Sequence, residues 1–215
     1  MYIPEAFKVV DEAAIVSFIQ QYDFATIVSS SPSLFATHAP VVVRGGGTSP
    51  LVVSGHFARA NPHWKVMDGS AESLVIFNGP HSYVSPTWYA NAPAVPTWNY
   101  AVVHAHGKPR FREDHDFLKT VLVELVRRYE GDRQPKPWRI EDQPPEFNDR
   151  MLAGIVGFEM PVLKVEAKFK LGQNRRLEDR KGAIAGLESE NSPQGLALAN
   201  FMRSHLDRDE GPSTS

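Results

Sequence analysis

Residues 24–57 read FATIVSSSPSLFATHAPVVVRGGGTSPLVVSGHF, and the fold class is decided here. Three runs in it, 24–30, 35–43 and 51–57, are rich in β-branched and aromatic residues, as strands are. Ser31-Pro32-Ser33 breaks the first run from the second. Residues 44–50, with Gly45-Gly46-Gly47, read as a loose hairpin tip before the third. Strands joined by tight turns, with helices inserted between and after them, describe an α+β chain with an antiparallel barrel rather than α/β.

Upstream of this stretch, Asp11 is placed to cap a helix whose buried face is Ile15, Phe18, Ile19 and Tyr22. Downstream, Asn61-Pro62 predicts a short helix ending near Asp68-Gly69. Residues 74–77 form a compact apolar strand, 78–100 read as a proline-rich and aromatic-rich loop, and alternation resumes at 101–107. The clearest helix is 114–130, where Phe117, Leu118, Val121, Leu122, Leu125, Val126 and Tyr129 make one wide apolar stripe. A polar connector follows at 131–137. Pro144-Pro145 opens a helix through Ala153, and 155–165 read as a strand. The remainder reads as a basic loop over 168–176, helices near 177–187 and 193–206, and a disordered tail over 208–215.

Bulk composition narrows the function. Hydrophobic residues make up 42% and charged residues 22%, enough for a real core. The net charge of −2 gives no basic footprint for nucleic acid phosphates. Cysteine is absent, which removes disulfides, thiol nucleophiles, Fe–S clusters and thiolate zinc sites. With neither a signal-peptide pattern nor an apolar run of membrane length, the expectation is a cytoplasmic, soluble protein. No G-x-G-x-x-G or P-loop opens a helix, so a bound nucleotide must be held by side chains and irregular loops.

Four segments carry candidate chemistry, each with a plainer reading beside it. In 55–62, GHFARANP, a strand end delivers Arg59 just before a helix start, a planar fork suited to phosphate oxygens. The plain alternative is a surface arginine beside an ordinary cap. The segment 78–100 sets Tyr83, Trp88, Tyr89, Trp98 and Tyr100 among prolines and hydroxyl residues, which suits a flat heteroaromatic ligand. Those rings equally suit pinning a loop or a subunit interface. His104 and His106 alternate on one strand face, yet without an identifiable carboxylate or third histidine they read as structural, and no metal ligand set is assigned. Residues 168–176, KFKLGQNRR, place four cations beside an amide pair and fit either a phosphate or a solvated loop.

Nine segments in order carry a resemblance over nearly the whole chain, from Met1 to about Arg203. They are Met1-Tyr2-Ile3-Pro4 with Phe7; 24–28, FATIV; 36–40, ATHAP; and 55–64, GHFARANPHW. Next come 79–89, GPHSYVSPTWY; 95–100, VPTWNY; 103–107, VHAHG; 155–159, IVGFE; and Lys170-Leu171 with Gln173-Asn174-Arg175. The chain resembles the PaiB-like family of FMN-binding split-barrel negative transcriptional regulators. It departs from that pattern at Phe169, where tryptophan is expected, and at Gly172, where serine is expected.

That resemblance implies a six-stranded antiparallel split barrel with flanking helices and a C-terminal helical extension, dimeric, with FMN at the subunit interface. It implies a barrel domain over 1–165, a basic loop and helical segment over 166–207, and a tail over 208–215. Arg59 and Asn61 would face the phosphate or ribityl chain, with Thr37 and His38 along the flavin and His56 beside them. Tyr83, Ser85, Thr97, Trp98, Asn99 and Tyr100 would wall the isoalloxazine. Lys170, Gln173, Asn174 and Arg175 would form the C-terminal basic motif. The implied role is regulatory or redox. The alternatives are a flavin-dependent oxidoreductase acting on a small molecule and a haem-binding split-barrel protein.

Overall fold

A computed structural model describes residues 1–30, 33–67, 69–133 and 135–210, with side chains to 206. The first helix, α1 (Glu12–Gln21), starts where Asp11 accepts a hydrogen bond from Ala13 N–H at 3.0 Å, and it buries Ile15, Phe18 and Ile19. Strands β1 (Phe24–Ser29), β2 (Phe35–Gly46) and β3 (Ser49–Ala58) follow as an antiparallel meander. Ile27 faces Thr37, Thr26 faces His38, and Val42 faces Ser54. The hairpin between β2 and β3 needs its glycines. Gly45, Gly46 and Gly47 all have positive φ, and a Cβ on Gly45 would lie 2.0 Å from the Pro50 carbonyl oxygen.

Four more strands complete the sheet: β4 (Ser73–Val84), β5 (Thr97–Gly107), β6 (Arg110–Arg112) and β7 (Ile155–Lys170). Their order is β3-β2-β1-β4-β5-β7-β6, and β3 also pairs with β7 from Val52↔Pro161 to Ala58↔Ile155. Six strands therefore close into an antiparallel barrel, and the three-residue β6 pairs with β7 at Gly157–Glu159. Period-2 alternation sends Ile27, Val41, Val53, Phe57, Val75, Phe77 and Phe158 inward, where all are buried. The Phe57 and Phe158 rings stack at 5.1 Å.

Helix α2 (His63–Val66) is a single turn. Helix α3 (His115–Glu130) begins at Asp114, which accepts from Phe117 N–H at 3.0 Å, and its Val121 and Leu125 pack on Val42 with Phe117 beside them. Arg44 Nε to Glu124 at 2.9 Å and Tyr129 Oη–H to Asp23 at 2.7 Å fasten its outer rows. Helix α4 (Pro145–Ala153) leads into β7. Helices α5 (Leu177–Glu190) and α6 (Pro193–Glu210) bury Ile184, Leu187, Leu198 and Met202. None of the described helices is long and apolar enough to cross a membrane. The chain divides into two compact units. One comprises Met1–Val10, Asn78–Val102 and the chain from Ala167 onward, and the other Asp11–Phe77 and Val103–Glu166.

Several expectations need correction. The loop expected over 78–100 shrinks to 85–96, because β4 runs on to Val84 and β5 begins at Thr97. Pro80 lies within β4, where its fixed φ is compatible with extended backbone and only its missing donor suggested a loop. Lys168, Phe169 and Lys170 belong to β7 rather than to a basic loop, and Lys168 and Phe169 are buried. The helix after Pro62 stops at Val66, well before Gly69, and β6 is too short to leave a periodic signal. Residues 208–210, expected in the tail, continue α6, while 211–215 lie outside the described residues, as do Ser31 and Pro32 of the first turn.

Candidate functional site

The expected ligand-binding residues fall into two sets, one in each unit. In the unit holding Asp11–Phe77, Thr37 points inward from β2 and meets a histidine. Thr37 Oγ1 lies 2.8 Å from His63 Nδ1, and Ser29 Oγ lies 2.9 Å from His63 Nε2. Asn61 Nδ2 donates to Thr37 Oγ1 at 3.1 Å, and its Oδ1 accepts the His63 N–H at 2.9 Å. His63 is fully buried and stacked on Phe35 at 4.5 Å, and burial pushes its pKa down. Thr37, Asn61, Ser29 and His63 are thus one hydrogen-bonded cluster that fixes the β3–α2 corner. The sequence shows His63 only as part of the 55–64 segment, because its partners lie 26 and 34 positions away.

Arg59 reaches the same corner and is anchored there. Its Nε donates to the Ala153 carbonyl at 2.8 Å, Nη2 to the Ile155 carbonyl at 3.0 Å, and Nη1 pairs with Glu113 at 2.7 Å. Three of a guanidinium's five N–H donors are committed, so its phosphate-binding fork is largely occupied. The turn of helix after it is too short to focus a field on an anion. His38 and His56 share the face opposite Thr37 by strand parity. His38 is exposed beside Phe24, whereas His56 Nδ1 is buried without a hydrogen-bond partner among the described residues. Burial lowers the His56 pKa and favours the neutral ring.

The second set gathers on β4, β5, the end of β7 and the loop that follows. Tyr83 and Trp98 stand exposed, at 40% and 55%, with ring centroids 6.4 Å apart in an edge-on pair. Lys170 Nζ donates to Thr97 Oγ1 and, at 2.8 Å, to the Trp98 carbonyl, and burial pushes its pKa down. Lys168 Nζ sits 5.1 Å from the Tyr100 ring and donates to the Tyr2 carbonyl at 3.2 Å. The Arg175 guanidinium lies 4.5 Å over Tyr89. Cations held beside accessible aromatic faces suit an anionic, flat ligand.

The other expected residues shape this region. Gln173 ties off the turn, accepting from Leu171 N–H at 2.8 Å and donating to the Phe169 carbonyl at 2.6 Å. Ser85 Oγ accepts from Thr87 N–H at 3.2 Å. Asn99 is buried and donates to the Met202 sulfur at 3.6 Å, and Asn174 is exposed in the turn. In the sequence Lys168 reads as one cation of a loop, and its place in β7 beside Tyr100 follows only from the fold. Elsewhere, His106 Nε2 lies 2.8 Å from Glu166 Oε2, which supplies the carboxylate that the H-x-H pair lacked.

Residues 1–164 match the family described as "Putative FMN-binding domain". The chain belongs to this FMN-binding domain family. It is 36% identical over 210 residues to the "Protease synthase and sporulation protein PAI 2" of Bacillus subtilis, covering 97% of this chain and 99% of the relative. This FMN-binding-domain chain is therefore of PaiB type. Among solved structures it is similar to the conserved hypothetical protein Rv2991 of Mycobacterium tuberculosis, with a TM-score of 0.57 at 15% identity, covering 79% of this chain and 91% of that one. It is also similar to the flavocytochrome Anf3 of Azotobacter vinelandii, with a TM-score of 0.54 at 12% identity over 82% and 74%. At such identities the likeness is one of fold, the split barrel.

Proposed function

We propose that this protein binds FMN and works through it in a regulatory or redox role, as a homodimer. The observation that carries the reading is the exposed Tyr83–Trp98 pair beside the Lys170 ammonium held at Thr97 and the Trp98 carbonyl. Tyr83, Trp98 and Tyr100 would contact the ring system, and Lys170 with Arg175 would balance the phosphate charge. This donor set fits the group: aromatic faces for a planar heterocycle and cations for an anion, in one unit of the chain. Bound FMN would supply reversible one- and two-electron chemistry, while these side chains bind and orient it. The set Thr37, Asn61 and Arg59 serves mainly to rigidify the β3–α2 corner. With a net charge of −2, a regulatory role would run through the ligand or a protein partner rather than through phosphate contacts along DNA.

The second copy is assigned to the outward face of β1, β2 and the start of β4. That face carries Phe24, Thr26, Val28, Ala36, His38, Pro40, Leu74 and Ile76, with no Lys, Arg, Asp or Glu among them. Phe24 is 64% exposed and nearby Leu34 is 79% exposed. An uncharged apolar sheet face pairs best with a copy of itself about a two-fold axis.

The test is the absorption spectrum of the purified full-length protein before and after addition of FMN and dialysis. Flavin bands retained by the natural protein and lost in Lys170→Ala and Trp98→Ala support the assignment. A colourless protein that takes up no FMN overturns it.

A further inference from the structure

We propose that His104, His106 and Glu166 form a binding site for a first-row divalent cation of the zinc type. The two histidines share the outward face of β5 by period-2 alternation, and Glu166 projects from β7, the hydrogen-bonded neighbour of β5 in the sheet. One ligand atom from each residue lies within 4.8 Å of the other two. Bonds of about 2.1 Å in a tetrahedral shell put donors about 3.4 Å apart, so closing on a cation asks for roughly an ångström of side-chain movement. His106 Nε2 and Glu166 Oε2 have already approached to 2.8 Å. No other group of three such donors occurs among the described residues.

Two imidazole nitrogens with one carboxylate oxygen select zinc-like ions over calcium or magnesium, which prefer all-oxygen shells. The cluster is also more than a solvated patch: the Glu166 side chain is only 13% exposed. Lys164 Nζ lies 3.2 Å from the other oxygen, Oε1, and is itself 62% exposed. It therefore approaches the carboxylate from the solvent side, while Oε2 lies against His106. A cation entering there takes the place of the hydrogen that His106 Nε2 directs at Glu166 Oε2, and in the neutral ring that hydrogen moves to Nδ1. Three protein donors leave the remaining coordination positions to water or to a ligand. None of the three residues belongs to the set assigned to FMN, so the two proposals stand or fall separately.

The experiment is calorimetric titration of chelator-treated full-length protein with Zn2+, followed by the visible spectrum with Co2+. We expect one equivalent bound and the intense visible bands of a low-symmetry N/O cobalt site. Loss of an orienting neighbour of a ligand costs about 10- to 100-fold in affinity, so His104→Ala and Glu166→Gln should each cost at least about 100-fold. His115→Gln, at an exposed position of α3, should change nothing and controls for adventitious surface binding. Glu166→Gln keeps the side-chain shape, and the stoichiometry and cobalt spectrum of the natural sequence test the site even if an alanine variant fails to fold. Absence of saturable Zn2+ binding, or binding that survives intact in both ligand variants, overturns the proposal.

Discussion

His63, which the sequence shows only as part of the 55–64 segment, is architectural in the fold. Both its ring nitrogens are used, by Ser29 and Thr37, so it has no free edge to offer a ligand. Replacing Thr37 by valine keeps the shape, strips His63 Nδ1 and Asn61 Nδ2 of their shared partner, and should destabilise the protein by about 1–3 kcal/mol. A urea titration with an unchanged midpoint would refute this. Lys170 makes the opposite case, a cation kept partly desolvated beside exposed rings. Its pKa is pushed down by burial, so its charge is full below that depressed value and is lost as pH rises through it. FMN affinity should therefore weaken at a lower pH than an ordinary lysine would dictate. Lys170→Arg, permanently charged, should flatten the profile, as fluorescence titration at stepped pH will show.

At the scale of elements, the C-terminal helices and the loop over 85–96 are fitted to each other inside one unit. A Cβ on Gly186 of α5 would lie 2.2 Å from the Trp88 ring, and one on Gly182 would lie 2.1 Å from the Trp88 carbonyl oxygen. These glycines weaken α5 as a helix, yet they make the groove in which Trp88 sits. For Gly186→Ala, a helix-propensity gain of about 1 kcal/mol opposes an overpacking cost of about 1–3 kcal/mol. The cost should win, lowering Tm and altering the near-ultraviolet signal of tryptophan. A rise in Tm would show that the ring simply moves aside. A cap made α1 legible and a periodic stripe made α3 legible, with Asp11 in the expected cap position and Asp114, expected inside its helix, capping it instead. The extension of β4 through Pro80 and of β7 through Lys170 was not legible, because proline and lysine have no strand preference to announce it.

For the whole molecule, closure of the barrel through β3 and β7 removes two exposed sheet edges but leaves an outward face on β1 and β2. A stable dimer on that face needs roughly 800 Å² from each copy. Phe24→Glu would place two like charges near the symmetry axis and should shift the sedimentation mass from dimer toward monomer, with the fold retained by circular dichroism. A natural protein that already sediments as one chain would remove the dimer from the proposal.

Local chemistry alone determined a good deal here: the strand alternation over 24–57, the glycine hairpin, the capped helices and the absence of cysteine chemistry. Each of these depends on residues within a few positions of one another. The family resemblance added the barrel and its expected cofactor from ordered motifs. Tertiary structure alone decided that Arg59 is tied to Ala153, Ile155 and Glu113, that Lys170 meets Thr97 and Trp98, and that Glu166 completes the His104–His106 pair. Those partners lie 54 to 96 positions apart in the chain. Neither propensity nor periodicity acts over that distance; only the pairing register of closed strands brings such side chains together.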